Sequence, residues 1–449
     1  MKSDTICALL TPNGTGAIGV IRVSGPNSIA IVSSFFSKDI ACSNSHTLHF
    51  GSFKNKKEEI LDEVLLSVFH EGKSFTGEQS VEISCHGSSY ILQSVIECLL
   101  KAGCRIAEPG EFTKRAFLNG KLDLSQAEAV ADLIASQSKA MHNIALKQLK
   151  GHFSDELKAL RQQLIDFASL IELELDFGEE DVEFADRDKL KELLVQVLQR
   201  VENLADTFAM GNVMKQGVPV AIVGAPNTGK STLLNSLIGE DRAIVSDIAG
   251  TTRDVIEETF NIDGILFRFI DTAGIRETNE EIESIGIERA KKKIEEATIV
   301  LCLSDSENPL PEVLDWSEKL MIQFPEKEVF VIQNKSDLLT MQKPMDGAFL
   351  ISAKTGAGLD ELKKQLVNAI TKGKDWSNQT IITSARHHEA LLKTSEALEK
   401  ALFGLSSDIS ADLIALDIRN AMYHLGSITG DISSDELLGN IFSRFCIGK

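Results

Sequence analysis

The sequence lacks the cysteine patterns of disulfide-rich and zinc-binding domains. Its 7 cysteines, an odd number, form no Cys-x-x-Cys pair in 449 residues. This usage excludes a disulfide scaffold and a zinc ribbon, and it indicates a reducing compartment. Cys302, within an apolar run, and Cys98, within a helical stretch, look structural. Cys446 lies in the short C-terminal tail, where its position alone favours a docked anchor or a disordered end.

Long apolar runs and an excess of basic charge are also missing. No stretch approaches the ~18 apolar residues of a membrane span, and the first residues show no apolar signal-peptide core. We therefore expect a cytoplasmic protein that does not enter the membrane. The 46 basic residues are outnumbered by 66 acidic ones, which gives a formal net charge of −20. This balance argues against a large intrinsic nucleic-acid surface, so an RNA substrate would need a partner or a local basic patch.

Several kinds of catalytic and cofactor site are not indicated. No Gly-x-Gly-x-x-Gly fingerprint follows a strand-like run, so no dinucleotide cofactor is expected, and no Ser/His/Asp set can be assembled. The acidic run at 172–181 is predicted to face solvent on a helix rather than to hold a metal. His387, His388 and Glu389 are adjacent, and adjacent helical side chains diverge by about 100°, so they are not expected to share one ion.

A phosphate-binding motif is the strongest signal in the sequence. Gly224-Ala-Pro-Asn-Thr-Gly-Lys-Ser231 fits Gly-x-x-x-x-Gly-Lys-Ser/Thr directly after an apolar, strand-like run. In this motif backbone N–H groups surround phosphate oxygens, Lys230 reaches the β- and γ-phosphates, and the Ser231 hydroxyl ligates Mg²⁺. The leucines that follow predict the helix that the motif requires. The chain is therefore predicted to bind a nucleoside triphosphate.

Three downstream motifs select the base and the class of nucleotide-binding protein. They are Asp271-Thr-Ala-Gly274, Asn334-Lys-Ser-Asp337 and Ser352-Ala-Lys354. The carboxylate of Asp337 can accept both N1–H and the 2-amino group of guanine, and adenine offers no such pair of donors. Each motif follows an apolar run, as ligand loops do at the carboxyl ends of parallel strands. The nucleotide is therefore predicted to be GTP.

The predicted GTP contacts come from these motifs and from a switch-like loop between them. They are Asn227, Thr228, Gly229, Lys230, Ser231, Thr232, Ser246, Asp247, Ile248, Ala249, Gly250, Thr251, Thr252, Asp271, Thr272, Ala273, Gly274, Asn334, Lys335, Asp337, Ser352, Ala353 and Lys354. Thr252 is expected to be the second hydroxyl at Mg²⁺. Ile275 stands where small GTPases carry a glutamine that orients the attacking water. Hydrolysis therefore needs another group to promote it. Arg253 either acts as an arginine finger or pairs with Asp254 on the surface.

Length and periodicity predict a multidomain protein of the α/β and α classes. A chain of 449 residues exceeds one core. Short β-rich runs alternate with helices in 1–118, which predicts an α+β unit, whereas helical periodicity dominates 119–215 and 374–449. The simplest arrangement is one discontinuous all-helical domain, interrupted by a P-loop GTPase domain at 216–373. The core candidates of the second helical part are Leu413, Leu416, Ile418 and Ala421.

Stretches outside the nucleotide motifs make the chain similar to one family. They are Thr76-Gly-Glu-Gln-Ser-Val-Glu-Ile-Ser-Cys-His-Gly87, Pro109-Gly-Glu-Phe-Thr-Lys-Arg-Ala-Phe-Leu-Asn-Gly-Lys-Leu-Asp-Leu124 and the terminal Phe445-Cys-Ile-Gly-Lys449. Together with an inserted Ras-like GTPase domain, they make the whole chain resemble the MnmE (TrmE) family of tRNA modification GTPases. Two positions depart from the family pattern: Ser88, where a second glycine is usual, and Thr228, where alanine is common.

The resemblance implies a homodimer that joins the flavoprotein MnmG in a heterotetramer. The complex would add an aminomethyl or carboxymethylaminomethyl group to C5 of the wobble uridine of certain tRNAs. The one-carbon unit would come from a reduced folate, 5,10-methylene- or 5-formyl-tetrahydrofolate, in the N-terminal dimerisation domain. Positions matching the family's folate site are Arg22, Glu82, Lys121 and Lys449, and Cys446 matches a residue of the modification reaction. Glu82 also fits on physical grounds, because the amidine edge of a pterin needs a carboxylate.

The resemblance also supplies a substitute for the missing glutamine. It implies a K⁺ ion held by Asn227, Ser246, Ile248 and Thr251 when two GTPase domains meet, with Glu283 orienting the attacking water. A cation among oxygen ligands can offset γ-phosphate charge as an arginine would. By its position alone, within an acidic stretch, Glu283 would be a solvated surface residue.

Two functions of other classes stay open. A GTP-dependent assembly factor, for example one acting on ribosomes, would use the same motifs but needs an RNA-binding surface that a net charge of −20 does not indicate. A folate-dependent one-carbon transferase without a partner would need a redox cofactor of its own, for which the sequence shows no fingerprint.

Overall fold

The computed structural model of the chain describes residues 4–176, 187–240, 258–270, 292, 294–305, 311–338, 347–372, 379–407 and 409–448. The chain forms two compact units. The first unit comprises Met1–Ala131, Lys147–Val197 and Lys393–Lys449, and the second unit comprises Asp132–Leu146 and Leu198–Leu392. This division does not test the domain boundaries that the sequence predicts, at 118, 215 and 373, so they remain a prediction.

The described strands and helices are numbered here in chain order. The strands are β1 (Ile6–Leu9), β2 (Ile18–Ser24), β3 (Thr47–Lys54), β4 (Ile60–Phe69), β5 (Ser80–His86), β6 (Arg105–Ile106), β7 (Val218–Gly224), β8 (Glu258–Ile262), β9 (Ile265–Phe269), β10 (Ile299–Asp305), β11 (Glu328–Asn334) and β12 (Ala348–Leu350). The helices are α1 (Ser28–Ser33), α2 (Ser89–Lys101), α3 (Glu111–Leu118), α4 (Leu124–Ala135), α5 (Lys139–Leu149), α6 (His152–Asp176), α7 (Arg187–Asp206), α8 (Phe208–Gln216), α9 (Lys230–Glu240), α10 (Pro311–Gln323), α11 (Leu359–Thr371), α12 (Ala385–Ser406), α13 (Ala411–Thr429) and α14 (Asp435–Phe442).

The first unit contains a six-stranded sheet in the order β3-β4-β5-β2-β1-β6. Side chains alternate between its faces, as the two-residue period of a strand requires. On β5, Val81, Ile83 and Cys85 are buried in the core beneath α1 and α2, whereas Glu82 and Ser84 point to the other face. One face of this sheet is therefore packed, and the other is available for a site.

Helices complete the first unit. α13 packs against α6, and α14 packs against α3. The prediction that Leu413 and Leu416 belong to the core is wrong, because they are 54% and 52% exposed. The buried stripe of α13 instead runs through Ile414, Ile418, Ala421, Leu425 and Ile428. Two apolar faces share this helix, and sequence periodicity cannot tell which of them is covered.

The second unit contains a sheet in the order β12-β11-β10-β7-β9-β8. All neighbouring strands in it are parallel except β8 and β9. Residues 299–303 of β10 form an uninterrupted buried apolar run, as expected of a strand covered on both faces. The predicted combination of an α+β region, helices and a P-loop α/β domain is confirmed. Among the described helices, none has the length and apolar character that a membrane crossing requires.

Candidate guanine nucleotide site and N-terminal acidic site

The phosphate-binding loop joins β7 to α9, as its motif predicts. Asn227 (φ 62°) and Gly229 (φ 92°) adopt the left-handed conformation that turns the chain sharply before the helix. The Lys230 ammonium donates hydrogen bonds to the carbonyl oxygens of Gly224 (2.9 Å) and Ala225 (2.8 Å). The lysine thus lies across the mouth of the loop, next to the N-terminus of α9, where anions are stabilised.

The Asn334 side chain joins three motifs. It is 2% exposed, its Nδ2 donates to the Thr228 carbonyl (2.9 Å), and its Oδ1 accepts from the Ala353 N–H (2.9 Å). A buried amide with both ends bonded holds its neighbours firmly, because breaking either bond would leave a buried polar group unsatisfied. Asn334 is therefore a connector between the phosphate loop and the base loops, rather than a group aimed at the base.

Asp337, which the sequence predicts to bind the base, is held by a hydrogen bond from the neighbouring motif. It is exposed, and its Oδ1 accepts a hydrogen bond from the buried Ser352 hydroxyl (2.6 Å). This hydrogen bond holds the pKa of Asp337 below its ordinary value, with smaller contributions from Lys354 and Lys335. The side chain therefore remains a carboxylate at neutral pH, which is the form that can accept two N–H donors.

These motifs surround a cavity of ≈ 360 Å³. Its lining residues are Gly229, Thr232, Asn334, Lys335, Asp337, Leu338, Ala353 and Lys354. Of these, only Leu338 was absent from the predicted GTP contacts. The volume lies within the range of small-molecule sites. The structure thus brings residues more than a hundred positions apart in the sequence together around one space.

Two contacts of this site were not predicted from the sequence. The Ser236 hydroxyl donates to the Ala353 carbonyl and ties α9 to the base loop. Asp305, the last residue of β10, forms an ion pair with the Lys335 ammonium. The position of Asp305 at the carboxyl end of an apolar run was the available signal, since ligand loops begin there.

A second polar site lies on the sheet of the first unit. Arg22 on β2 and Glu82 on β5 are Cα partners, and Oε1 of Glu82 accepts from Nε (3.0 Å) and Nη2 (2.7 Å) of Arg22. The Arg22 guanidinium also lies 5.0 Å from the Phe75 ring centroid and 5.4 Å from that of Phe112. The structure therefore brings two predicted folate residues together, and it places the Arg22 guanidinium near two aromatic rings that the sequence did not single out.

A charged network supports the rings. Arg115 of α3 binds Asp4, Glu78 and Glu111, and Arg105 also binds Glu111. Burial opposes the charged form of Glu111, but hydrogen bonds from Arg105, a backbone N–H and Arg115 hold its pKa below the ordinary value. The network thus fixes α3, which carries Phe112, against the loop that carries Phe75.

Lys121 and Cys446 are near neighbours of this region but have other contacts. Lys121 donates to the Gly72 carbonyl (3.0 Å), in the loop before β5. The Cys446 carbonyl accepts from the Gly110 N–H (3.3 Å), and a Cβ on Gly448 would lie 2.2 Å from the Leu9 carbonyl. The tail is therefore docked, while Cys446 itself remains exposed.

Other predicted residues lie outside the described residues. They are Ser246, Asp247, Ile248, Ala249, Gly250, Thr251, Thr252, Arg253, Asp254, Asp271, Thr272, Ala273, Gly274, Ile275, Glu283 and Lys449. His387 and His388 are described, and no metal-binding group of His, Cys, Asp or Glu is found in the part of the chain that the structure covers. His387 is buried beside Arg386, and His388 stacks on Phe208.

Gly229→Ala is expected to weaken GTP binding about a hundredfold, or about 3 kcal/mol. A Cβ at this position would lie 2.3 Å from Nδ2 of Asn334, and the backbone is left-handed there (φ 92°). The substitution would break the connector bond to Thr228 as well as strain the loop. Titration with a fluorescent GTP analogue measures the affinity.

Gly239→Ala, in helix α9 that follows the loop, is the matched control. A Cβ on Gly239 meets nothing within 4 Å, so affinity should not change. Equal affinities of the Gly229 and Gly239 variants would contradict the role given to Asn334.

Comparisons with known proteins agree with this architecture. A family model described as the MnmE helical domain matches residues 124–446, and one described as the GTP-binding protein TrmE N-terminus matches residues 5–121. The tRNA modification GTPase MnmE of Flavobacterium psychrophilum is 53% identical, over 99% of each chain. That of Flavobacterium johnsoniae is 52% identical over 100% of each chain. A crystal structure of an Aquifex aeolicus Era variant with GDP·AlF4⁻ is 31% identical over 40% of this chain and 66% of its own, but its TM-score of 0.26 supports no argument. The full-length similarity to these relatives shows that the chain belongs to the MnmE family of tRNA modification GTPases.

Proposed function

We propose that this chain is a potassium-activated cytoplasmic GTPase that modifies wobble uridine in tRNA. As a homodimer, and in a heterotetramer with the flavoprotein MnmG, it adds an aminomethyl or carboxymethylaminomethyl group to C5 of uridine 34 in certain tRNAs. A reduced folate supplies the one-carbon unit. One observation supports this proposal beyond the GTPase activity that the family shows: the Arg22–Glu82 pair, beside the exposed Phe75 ring, lies in a different unit from the GTP motifs.

The Arg22–Glu82 site has the chemistry that a reduced folate requires. A pterin presents a flat ring with an N–H donor edge, and its glutamyl tail is anionic. Glu82 offers a carboxylate, the exposed Phe75 offers a ring face, and Arg22 offers a cation at the same place, while the buried Phe112 packs behind the Arg22 guanidinium. Lys121 and Lys449 would provide further positive charge for the tail. The folate would supply the one-carbon unit, and these residues would bind and orient it.

The nucleotide loop has the chemistry that an activating monovalent cation requires. Ser231 and Thr252 would hold Mg²⁺, while Asn227, Ser246, Ile248 and Thr251 would hold K⁺, which supplies positive charge beside the γ-phosphate. Asn227 is already in the left-handed conformation (φ 62°) at the bend of the loop. Ile275 offers no side chain that could orient water, so Glu283 is proposed for that role.

The open face of the first unit's sheet supports a homodimer. Phe50 and Leu65 are Cα partners on β3 and β4 and are 55% and 40% exposed, and Leu48 beside them is 62% exposed. Leu65 also pairs with Ser84, two residues from Glu82, so the apolar patch shares a face with the folate site. Exposed apolar patches of this kind mark interaction surfaces. A second copy of the chain would cover this patch beside the site.

Turnover in K⁺ and in Na⁺, with nucleoside analysis, tests the proposal. GTP hydrolysis by the full chain should be at least about tenfold faster in K⁺, because the cation would supply the positive charge that an arginine finger supplies in other GTPases. In a reaction reconstituted with the flavoprotein, tRNA, GTP and a reduced folate, mass analysis should detect modified wobble uridine only when this chain is present. Equal turnover in both salts would contradict potassium activation. Unmodified uridine in the complete reaction would favour an assembly role instead.

A further inference from the structure

Asp305 is an acidic residue outside every nucleotide motif, yet its ion-pair partner Lys335 lines the cavity beside Asp337. It ends β10 and is the Cα partner of Asn334 on β11. Its carboxylate pairs with the Lys335 ammonium, and the two side chains are 17% and 30% exposed. A surface pair such as Asp315–Lys319 on α10 is far more open, at 64% and 69%. The Asp305–Lys335 pair is therefore less screened by water than an ordinary surface ion pair.

Lys335 is held by both its backbone and its side chain. Its φ of 63° lies in the left-handed region, which L residues rarely adopt. The next residue, Ser336, donates its N–H to the Ile351 carbonyl (3.0 Å), which fixes the turn that carries Asp337. Lys335 also lines the cavity. With its ammonium tied to Asp305, the hydrocarbon stem of the lysine has lost much of its rotamer freedom.

We infer that Asp305 is a positioning residue for guanine nucleotide binding, which holds the Lys335 stem in place as a wall for the face of the base. A free lysine would lose rotamer entropy when a base packed against it, whereas a stem already held by Asp305 loses little. The inference rests on the assignment of guanine to the cavity beside Asp337.

Asp305 and Asp337 then have separable effects. Asp337 binds an edge of the base, so it distinguishes purines by their donors and acceptors. A lysine stem against the face of the base meets carbon and nitrogen atoms that all purines share. Loss of Asp305 should therefore weaken binding of different purine nucleotides by the same factor, and loss of Asp337 should change their ratio.

Calorimetry on full-length variants with GDP and inosine diphosphate, which lacks the 2-amino group, tests this separation. Asp305→Ala should raise both Kd values about tenfold and leave their ratio unchanged. Asp305→Asn, which keeps an acceptor but not the charge, should raise both about threefold, and it supplies the same test if the alanine variant does not fold. Asp315→Ala, which removes the partner of another lysine in the same unit, should change neither value.

Two outcomes would overturn the inference: unchanged Kd values in both Asp305 variants, or a changed ratio of GDP to inosine diphosphate affinity. Asp337→Asn in the same assay separates this failure from a failure of the proposed function. If Asp337→Asn leaves the ratio unchanged, the base is not bound at this cavity and the site assignment itself is wrong. If that variant changes the ratio while the Asp305 variants bind normally, only the role of Asp305 is refuted.

Discussion

Replacing Asp337 by Asn is expected to weaken GTP binding about a thousandfold and to make xanthosine triphosphate the better ligand. The carboxylate accepts from both N1–H and the 2-amino group of guanine, whereas an asparagine amide presents an N–H₂ group to at least one of these donors. Xanthine carries a carbonyl at position 2, and that carbonyl can accept from the amide. The Ser352 hydrogen bond, which fixes the carboxylate in the native protein, also orients the amide. Competition of GTP and of xanthosine triphosphate against a fluorescent analogue measures the two affinities and so the change of preference.

Asp360→Asn is the control for Asp337→Asn, because Asp360 is an exposed acid in the first turn of α11 and lies outside the cavity. It makes the same change of charge in the same unit and should leave both affinities unaltered. An Asp337→Asn protein that still prefers GTP would show that another group reads the base.

Replacing Glu82 by Ala is expected to reduce binding of 5-formyl-tetrahydrofolate by about a thousandfold, below the range of calorimetry. The substitution removes two charge-assisted contacts to the pterin edge. It also leaves the Arg22 guanidinium, which lies near the Phe75 and Phe112 rings, without its carboxylate partner. GTP binding should not change, because the GTP motifs belong to the other unit.

Glu63→Ala provides the control, since Glu63 is an exposed acid on the neighbouring strand β4.

Cys446→Ser should bind folate and GTP normally but fail to modify tRNA in the reconstituted reaction. Normal folate binding by Glu82→Ala would remove the pterin assignment, and full modification by Cys446→Ser would leave that cysteine a tail anchor.

The nucleotide site could be largely predicted from the sequence because its geometry is local. Each motif pairs a strand end with a short loop, and parallel strands bring those loops to one edge of the sheet. The contacts that were missed depend on tertiary pairing. The Asp305–Lys335 pair joins residues thirty positions apart across neighbouring strands. The position of Asp305 at the end of an apolar run places it near ligand loops, but it does not identify Lys335 as its partner.

The first unit shows where sequence reasoning reaches its limit. Resemblance to a family pointed to Arg22 and Glu82, but the contacts of Arg22 with the Phe75 and Phe112 rings could not be inferred, since the rings approach from a loop and from α3. Apolar periodicity likewise marked both faces of α13 and could not tell which of them is buried. Burial depends on what packs against a helix, and that information lies elsewhere in the chain.

The Asn334 connector has a thermodynamic consequence for the nucleotide as a whole. Because one side chain is bonded to both the phosphate loop and the base loop, ordering either loop also orders the other. The two halves of GTP are therefore coupled ligands: each half, once bound, lowers the entropic cost of binding the second. Guanosine and triphosphate bound separately would each have to order the connected loops alone, so the intact nucleotide binds more tightly than the two fragments together would suggest.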